Sequence, residues 1–178
     1  MKCIGVVILA ASLFAADIPR PAPAMVFPTT DGGSVDTAKL KGKAVCLAFI
    51  LTTCPHCQST SAVLQRIQND MAPLGVQVAE VATNPMAHML IPDFVKNFGV
   101  RFPVAYTDEA HAHEFLQHPT MQIMYYPQLV FIDRSGTIKK QAGGNDPLFK
   151  GNQDTNIRAE MEKLLKPATT PVSSRKVR

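Results

Sequence analysis

Ala44-Val45-Cys46-Leu47-Ala48-Phe49-Ile50-Leu51-Thr52-Thr53-Cys54-Pro55-His56-Cys57 is the stretch that decides the fold. It opens with an unbroken apolar run of strand length, Ala44 to Leu51, the pattern of a strand buried on both faces of a sheet. Beyond it Val63, Leu64, Ile67 and Met71 recur at helical spacing among Gln65, Arg66, Gln68 and Asn69, so an amphipathic helix follows. The two cysteines therefore stand at a strand-to-helix turn. Thr53 is the expected N-cap, and Pro55 falls in the first turn, where its missing N–H costs nothing. Free N–H groups and the macrodipole at that end of a helix favour an anion, the form in which a thiol is a nucleophile. Cys54 is the expected nucleophile.

Two cysteines with two residues between them can cycle between dithiol and disulfide. Structural zinc would need two further ligands at close spacing, and Cys3 and Cys46 stand in apolar runs without a partner cysteine nearby. A purely structural disulfide closing so short a loop would remove little chain entropy. The spacing thus favours redox chemistry.

The chain resembles the thioredoxin superfamily over most of its length, and its TlpA-like and redoxin members in particular. The matching stretches are Phe27-Pro28-Thr29-Thr30-Asp31-Gly32, Leu40-Lys41-Gly42-Lys43 leading into the apolar strand, Cys54 to Cys57, and Tyr126-Pro127 followed by Leu129-Val130-Phe131-Ile132-Asp133. The resemblance implies an α/β fold, a thioredoxin-like three-layer sandwich with a mixed central sheet. It also implies a cis Pro127 lying across from a redox-active Cys54 and Cys57 pair. Tyr126 and Pro127 then bind the substrate backbone, and the bulk of Tyr126 shapes which partner fits. No metal or organic cofactor is implied.

The chain departs from the family pattern where a carboxylate serves the second cysteine. Thioredoxin keeps a buried Asp six residues before its first cysteine, where this chain has Ala48; some TlpA-like reductases use a Glu three residues after the second, here Thr60. Thr53 also replaces the Trp that precedes the first cysteine of thioredoxin. The sequence offers no obvious proton acceptor for Cys57. His56 is the residue expected to set the redox poise, since a Pro-His pair between the cysteines resembles the strongly oxidising DsbA family. Stabilising the Cys54 thiolate makes the disulfide a better oxidant. The bland alternative is a solvent-exposed helix histidine. DsbA carries an inserted helical domain, and the stretch from Thr107 to Tyr126 is too short for one.

A second constellation suits copper: Met86, His88 and Met89, then His111 and His113, then His118, Met121 and Met124. It would fit a Sco-like copper-handling protein, although that group resembles C-x-x-x-C-P at its cysteines. Such methionines are more often core or gap-filling residues. A peroxiredoxin-like antioxidant is the further alternative, and it lacks the Thr and Pro that precede a peroxidatic cysteine, positions held here by Leu51 and Leu47. Cys46 reads as a packed, inert thiol.

Lys2, the apolar stretch Ile4 to Phe14 and small Ala15-Ala16 resemble a signal peptide over residues 1–16, so export to the periplasm or beyond is expected. That stretch is too short to favour a membrane span, and membrane attachment follows only if it stays uncleaved. Residues 17–24, rich in proline, read as a linker, 25–166 as the thioredoxin-like domain, and 167–178 as a disordered basic tail. At 178 residues and 46% hydrophobic the chain can bury one core and no more, and a monomer is expected. The net charge of +4 is modest and partly in that tail, which excludes a nucleic-acid surface. Val76 to Ala82 is expected as the next strand, Pro92 to Phe98 as a helix ending at Gly99, Leu129 to Ile132 and Thr137 to Lys140 as a hairpin, and Ile157 to Lys166 as the last helix. The chain is thus expected to be an exported thiol-disulfide oxidoreductase exchanging disulfides with protein partners and with an electron donor or acceptor protein. The direction of electron flow is set by that partner pool.

Overall fold

A computed structural model describes residues 17–166. In chain order the elements are β1 (Arg20–Pro21), β2 (Val26–Pro28), β3 (Ser34–Asp36), β4 (Ala44–Ile50), α1 (Pro55–Met71), β5 (Val76–Ala82), α2 (Ala87–Phe98), β6 (Val104–Tyr106), α3 (Glu109–Leu116), β7 (Gln128–Ile132), β8 (Thr137–Ala142) and α4 (Gln153–Leu165). Six strands form one mixed sheet in the order β1-β8-β7-β4-β5-β6. The apolar run of β4 is explained by this position: it lies between parallel β5 and antiparallel β7, and all seven of its residues are at 0% exposure. One face of β4, formed by Cys46, Ala48 and Ile50, packs under α1, α2 and α4; the other, formed by Val45, Leu47 and Phe49, packs against α3 and the β2–β3 hairpin. On that second face Phe27 meets Phe49 edge-on, with ring centres 5.9 Å apart. The three layers and mixed sheet are those of a thioredoxin-like sandwich.

The β7–β8 hairpin forms at the expected turn, where Gly136 donates to the Asp133 carbonyl and adopts φ +85°. Gly99 ends α2 in the left-handed conformation, φ +64°, with its N–H on the Val95 carbonyl. The start of that helix differs from expectation, since it begins at Ala87 and carries Pro92 inside. Ala87, Ile91 and Phe94 form its buried stripe, and burying two large side chains at about 1.5–3 kcal/mol each offsets the lost hydrogen bond. Pro92 faces solvent. The last helix likewise starts earlier, at Gln153, because the Asn152 side chain caps it by accepting from the Thr155 N–H.

Residues 17–24 are not merely a linker. Arg20 and Pro21 add an edge strand beside β8, and the Arg20 guanidinium is buried, donating to the Phe115 carbonyl and to Gln141. The expected signal peptide and basic tail lie outside the described residues. Among the described residues no helix is long and apolar enough to cross a membrane.

Candidate redox site

The chain leaves the end of β4 through Leu51, Thr52 and Thr53, a turn fixed from two sides. Asn84 accepts from the Thr52 N–H at 2.9 Å, and Gln58 reaches back from α1 to the Thr52 carbonyl, also at 2.9 Å. The Cys54 N–H closes the turn on the Leu51 carbonyl at 3.0 Å. Thr53 is not the cap: Cys54 itself is the N-cap of α1, in extended conformation, with Pro55 as the first helical residue. The reason is the proline, whose fixed φ suits the first helical position and whose neighbour before it must be extended. No side chain caps the helix, so the Cys54 thiol occupies the place a capping oxygen would.

The two sulfurs, both free thiols here, sit in different environments. Cys54 is half-buried, whereas Cys57 is at 0% exposure in the core face beneath α1. Burial pushes the Cys57 thiol well above its ordinary range; the Leu51 N–H, donating to its sulfur at 3.5 Å, offsets part of this, and Cys54 and Glu80 add to it. Cys57 therefore stays protonated until something removes its proton. Cys46, two strand positions from Ala48, is also fully buried and pushed up by burial.

His56 lies between the cysteines with its ring edge-on to Phe149, centres 4.8 Å apart. Its charge would act on Cys54 through space, since neither sulfur is its hydrogen-bond partner in the structure. The Tyr126-Pro127 peptide is cis, and Tyr126 packs against the same core cluster as Cys54. Pro127 is buried, and Tyr126 is half-buried with its hydroxyl accepting from Thr83 at 2.9 Å. Burial raises the Tyr126 phenol, Thr83 offsets this, and Glu109 and Cys57 add to it, which places the ring beside the site. The loop is held from below by Gly144, whose N–H donates to the Tyr125 carbonyl at 2.7 Å. A Cβ at Gly144 would lie 2.2 Å from the Tyr126 carbonyl oxygen, so only glycine lets the two backbones approach this closely.

A cleft of about 280 Å³ opens beside the Thr83–Tyr126 pair, lined by Thr83, Asn84, Met86, His88, Tyr106 and Glu109. Met86 and Met89 beside it, and Met121, Ile123 and Tyr125 on the loop leading to Pro127, are exposed apolar side chains. A larger cleft, about 500 Å³, lies between the β2–β3 hairpin and α2 and contains neither cysteine.

The histidines of the copper-type set do not converge on one point. His88 packs on Tyr106; His111 bonds Asp108; the Nδ1 atoms of His113 and His118 each meet a backbone carbonyl, and only these two imidazoles face one another. Among the described residues no three His, Cys, Asp or Glu side chains converge as a metal site would require.

Glu80 is the residue that motif reading misses. It is the central carboxylate of β5, paired with Ala48 of β4 and at 0% exposure. Burial pushes it up to about 8, and Ser61 offsets part of this. A charge inside the apolar run Val76 to Ala82, on the same strand face as Val78 and Ala82, was the available signal.

A mixed α/β sandwich with a dithiol at the start of its first long helix and a cis proline opposite defines a TlpA-like thiol-disulfide oxidoreductase of the thioredoxin superfamily. Residues 19–156 match the Redoxin family, and the chain belongs to it. Thiol-disulfide oxidoreductase ResA of Halalkalibacterium halodurans is 23% identical over 137 residues, 77% of this chain and 70% of that protein. ResA of Bacillus subtilis is 30% identical over 83 residues, 47% of this chain and 46% of that protein. Among solved structures, a thiol:disulfide interchange protein of the thioredoxin family from Chlorobium tepidum superposes with a TM-score of 0.70 at 25% identity, covering 85% of this chain and 100% of that one.

Proposed function

We propose that the protein is an exported thiol-disulfide oxidoreductase that exchanges disulfides with protein partners through Cys54 and Cys57. The observation that carries this reading is the asymmetry of the pair: a half-buried thiol at a helix N-terminus next to a fully buried one. The thiolate of Cys54 attacks a partner disulfide, and the mixed disulfide is resolved by Cys57, or the sequence runs in reverse. Held in place by the helix, Cys57 reaches only Cys54, so the partner always enters through the exposed sulfur. His56 contributes positive charge when protonated and favours the Cys54 thiolate. Tyr126 and Pro127 dock the partner backbone, and the exposed methionines, Ile123 and Tyr125 supply an adaptable apolar rim for it. Export rests on the signal-like residues 1–16. The test is exchange with a simple peptide disulfide: Cys54→Ser should abolish it, and normal exchange by that variant would overturn the assignment.

A further inference from the structure

Resting on that reading of the dithiol, we propose that Glu80 takes the proton from the Cys57 thiol when Cys57 attacks the mixed disulfide, and returns it when the disulfide is next reduced. Glu80 lies in the layer that holds Cys57, between β4 and β6 in the sheet and beneath α1. Both of its carboxyl oxygens are buried without a hydrogen-bond partner. The groups facing it are Cys46 from β4 and Cys57 and Ser61 from α1; from β6 its register partner is the apolar Val104, and the Glu80 N–H donates to the carbonyl of Pro103 just before that strand. Ser61 is close enough to act on the carboxyl, yet its hydroxyl is turned to the Cys57 carbonyl at 2.9 Å. No lysine, arginine or histidine acts on it.

A carboxylate with no cation and no donor has no structural reason to be in a core, where an apolar residue would be favoured. It shares the buried sheet face of Ala48, Val78 and Ala82 with Cys57, a thiol that burial holds protonated and that must lose its proton to react. The two anomalies resolve each other. Ionised Glu80 and neutral Cys57 share one negative charge between them, and moving a proton from sulfur to carboxylate creates no second charge in the core.

Cys54 is joined to a partner sulfur; the Cys57 S–H bond breaks, its proton passes to the Glu80 carboxylate, and the Cys57 sulfur attacks Cys54. The Cys54–Cys57 disulfide forms as the Cys54–partner bond breaks, and the partner leaves as a thiolate. Two electrons have passed from the dithiol to the partner, and Glu80 is left as a neutral acid.

A chromogenic aromatic disulfide in stopped flow separates the stages, because attack by Cys54 releases one chromophore with a rate proportional to reagent and resolution by Cys57 releases the second at a fixed rate. In the wild type the second phase should rise with pH with a midpoint near 8 and level off above it, following ionised Glu80. In Glu80→Gln the first phase should be unchanged, while the second loses this inflection and slows by about 10²-fold or more. A wild-type second phase that is flat with pH, or a Glu80→Gln second phase with the wild-type rate and profile, would overturn the proposal. Loss of the first phase in the wild type would instead overturn the dithiol reading beneath it. Should Glu80→Gln fail to fold, the Glu80 carboxyl carbon can be titrated by NMR in the wild type, reduced and oxidised. Titration near 8 in the reduced protein, moving on oxidation, supports the role, and an ordinary glutamate midpoint in both states refutes it.

Discussion

Replacing Glu80 by Gln should stabilise the protein, and by an amount that depends on pH. In the native state the carboxyl titrates at about 8, against an ordinary glutamate value of 4.5 in the unfolded chain. Between these limits the native state binds more protons than the unfolded state, so unfolding free energy falls as pH rises. At about 1.4 kcal/mol per pH unit, this one residue removes roughly 3–4 kcal/mol of stability between pH 5 and 8. The penalty is absent below the unfolded value and complete above the native one. Glutamine has the same shape and no charge, so the difference between the urea midpoints of wild type and Glu80→Gln, followed by circular dichroism, isolates the carboxyl from the histidines that also titrate in this range. The two proteins should be of similar stability at pH 5 and diverge as pH rises, the variant being the more stable. Parallel curves across the range would refute the buried, unpaired carboxyl. The combination of a more stable protein with slower resolution is what a functional residue placed against the demands of the core produces.

His56→Ala should lower the reduction potential of the pair on the order of 30 mV or more, the equivalent of about 1.4 kcal/mol, measured by glutathione equilibration; an unchanged potential would make His56 only the packing partner of Phe149. Gly144→Ala should cost about 1–3 kcal/mol and displace the Tyr126-Pro127 loop, slowing exchange with a peptide disulfide more than with a small aromatic one, whereas equal slowing would count against docking by that loop. A variant with His88, His111 and His113 all replaced should bind copper no more weakly than the wild type in calorimetric titration, since these side chains point to separate partners; a stoichiometric site lost in the variant would restore the copper-handling alternative.

Much of the fold was legible because its decisive signals are local. An apolar run followed by a helical stripe defines β4 and α1, Asp133 to Gly136 defines a hairpin turn, and Gly99 stops a helix. Where tertiary packing overrules a local rule, the reading fails. Pro92 looks like a helix start and is instead carried on the solvent side of a helix that Ala87, Ile91 and Phe94 anchor. Arg20 and Pro21 look like linker composition and become a strand because β8 has an open edge. Thr53 has the chemistry of a cap, but Pro55 moves the helix start one residue on. The dithiol and Pro127 were recognisable as motifs far apart in sequence, and Cys54 and Tyr126 pack against one core cluster. Glu80 was not, because its meaning depends on strand register: pairing with Ala48 puts it on the sheet face that α1 covers.

In the proposed reaction partners enter through Cys54 and are released by Cys57. Incubating Cys57→Ser with a peptide disulfide, quenching with acid and mapping the adduct by mass spectrometry tests it directly. A stable mixed disulfide on Cys54 and none on Cys46 is expected, since Cys46 is fully buried and the resolving thiol is gone. An adduct on Cys46, or an adduct on Cys54 that is released as fast as in the wild type, would contradict it.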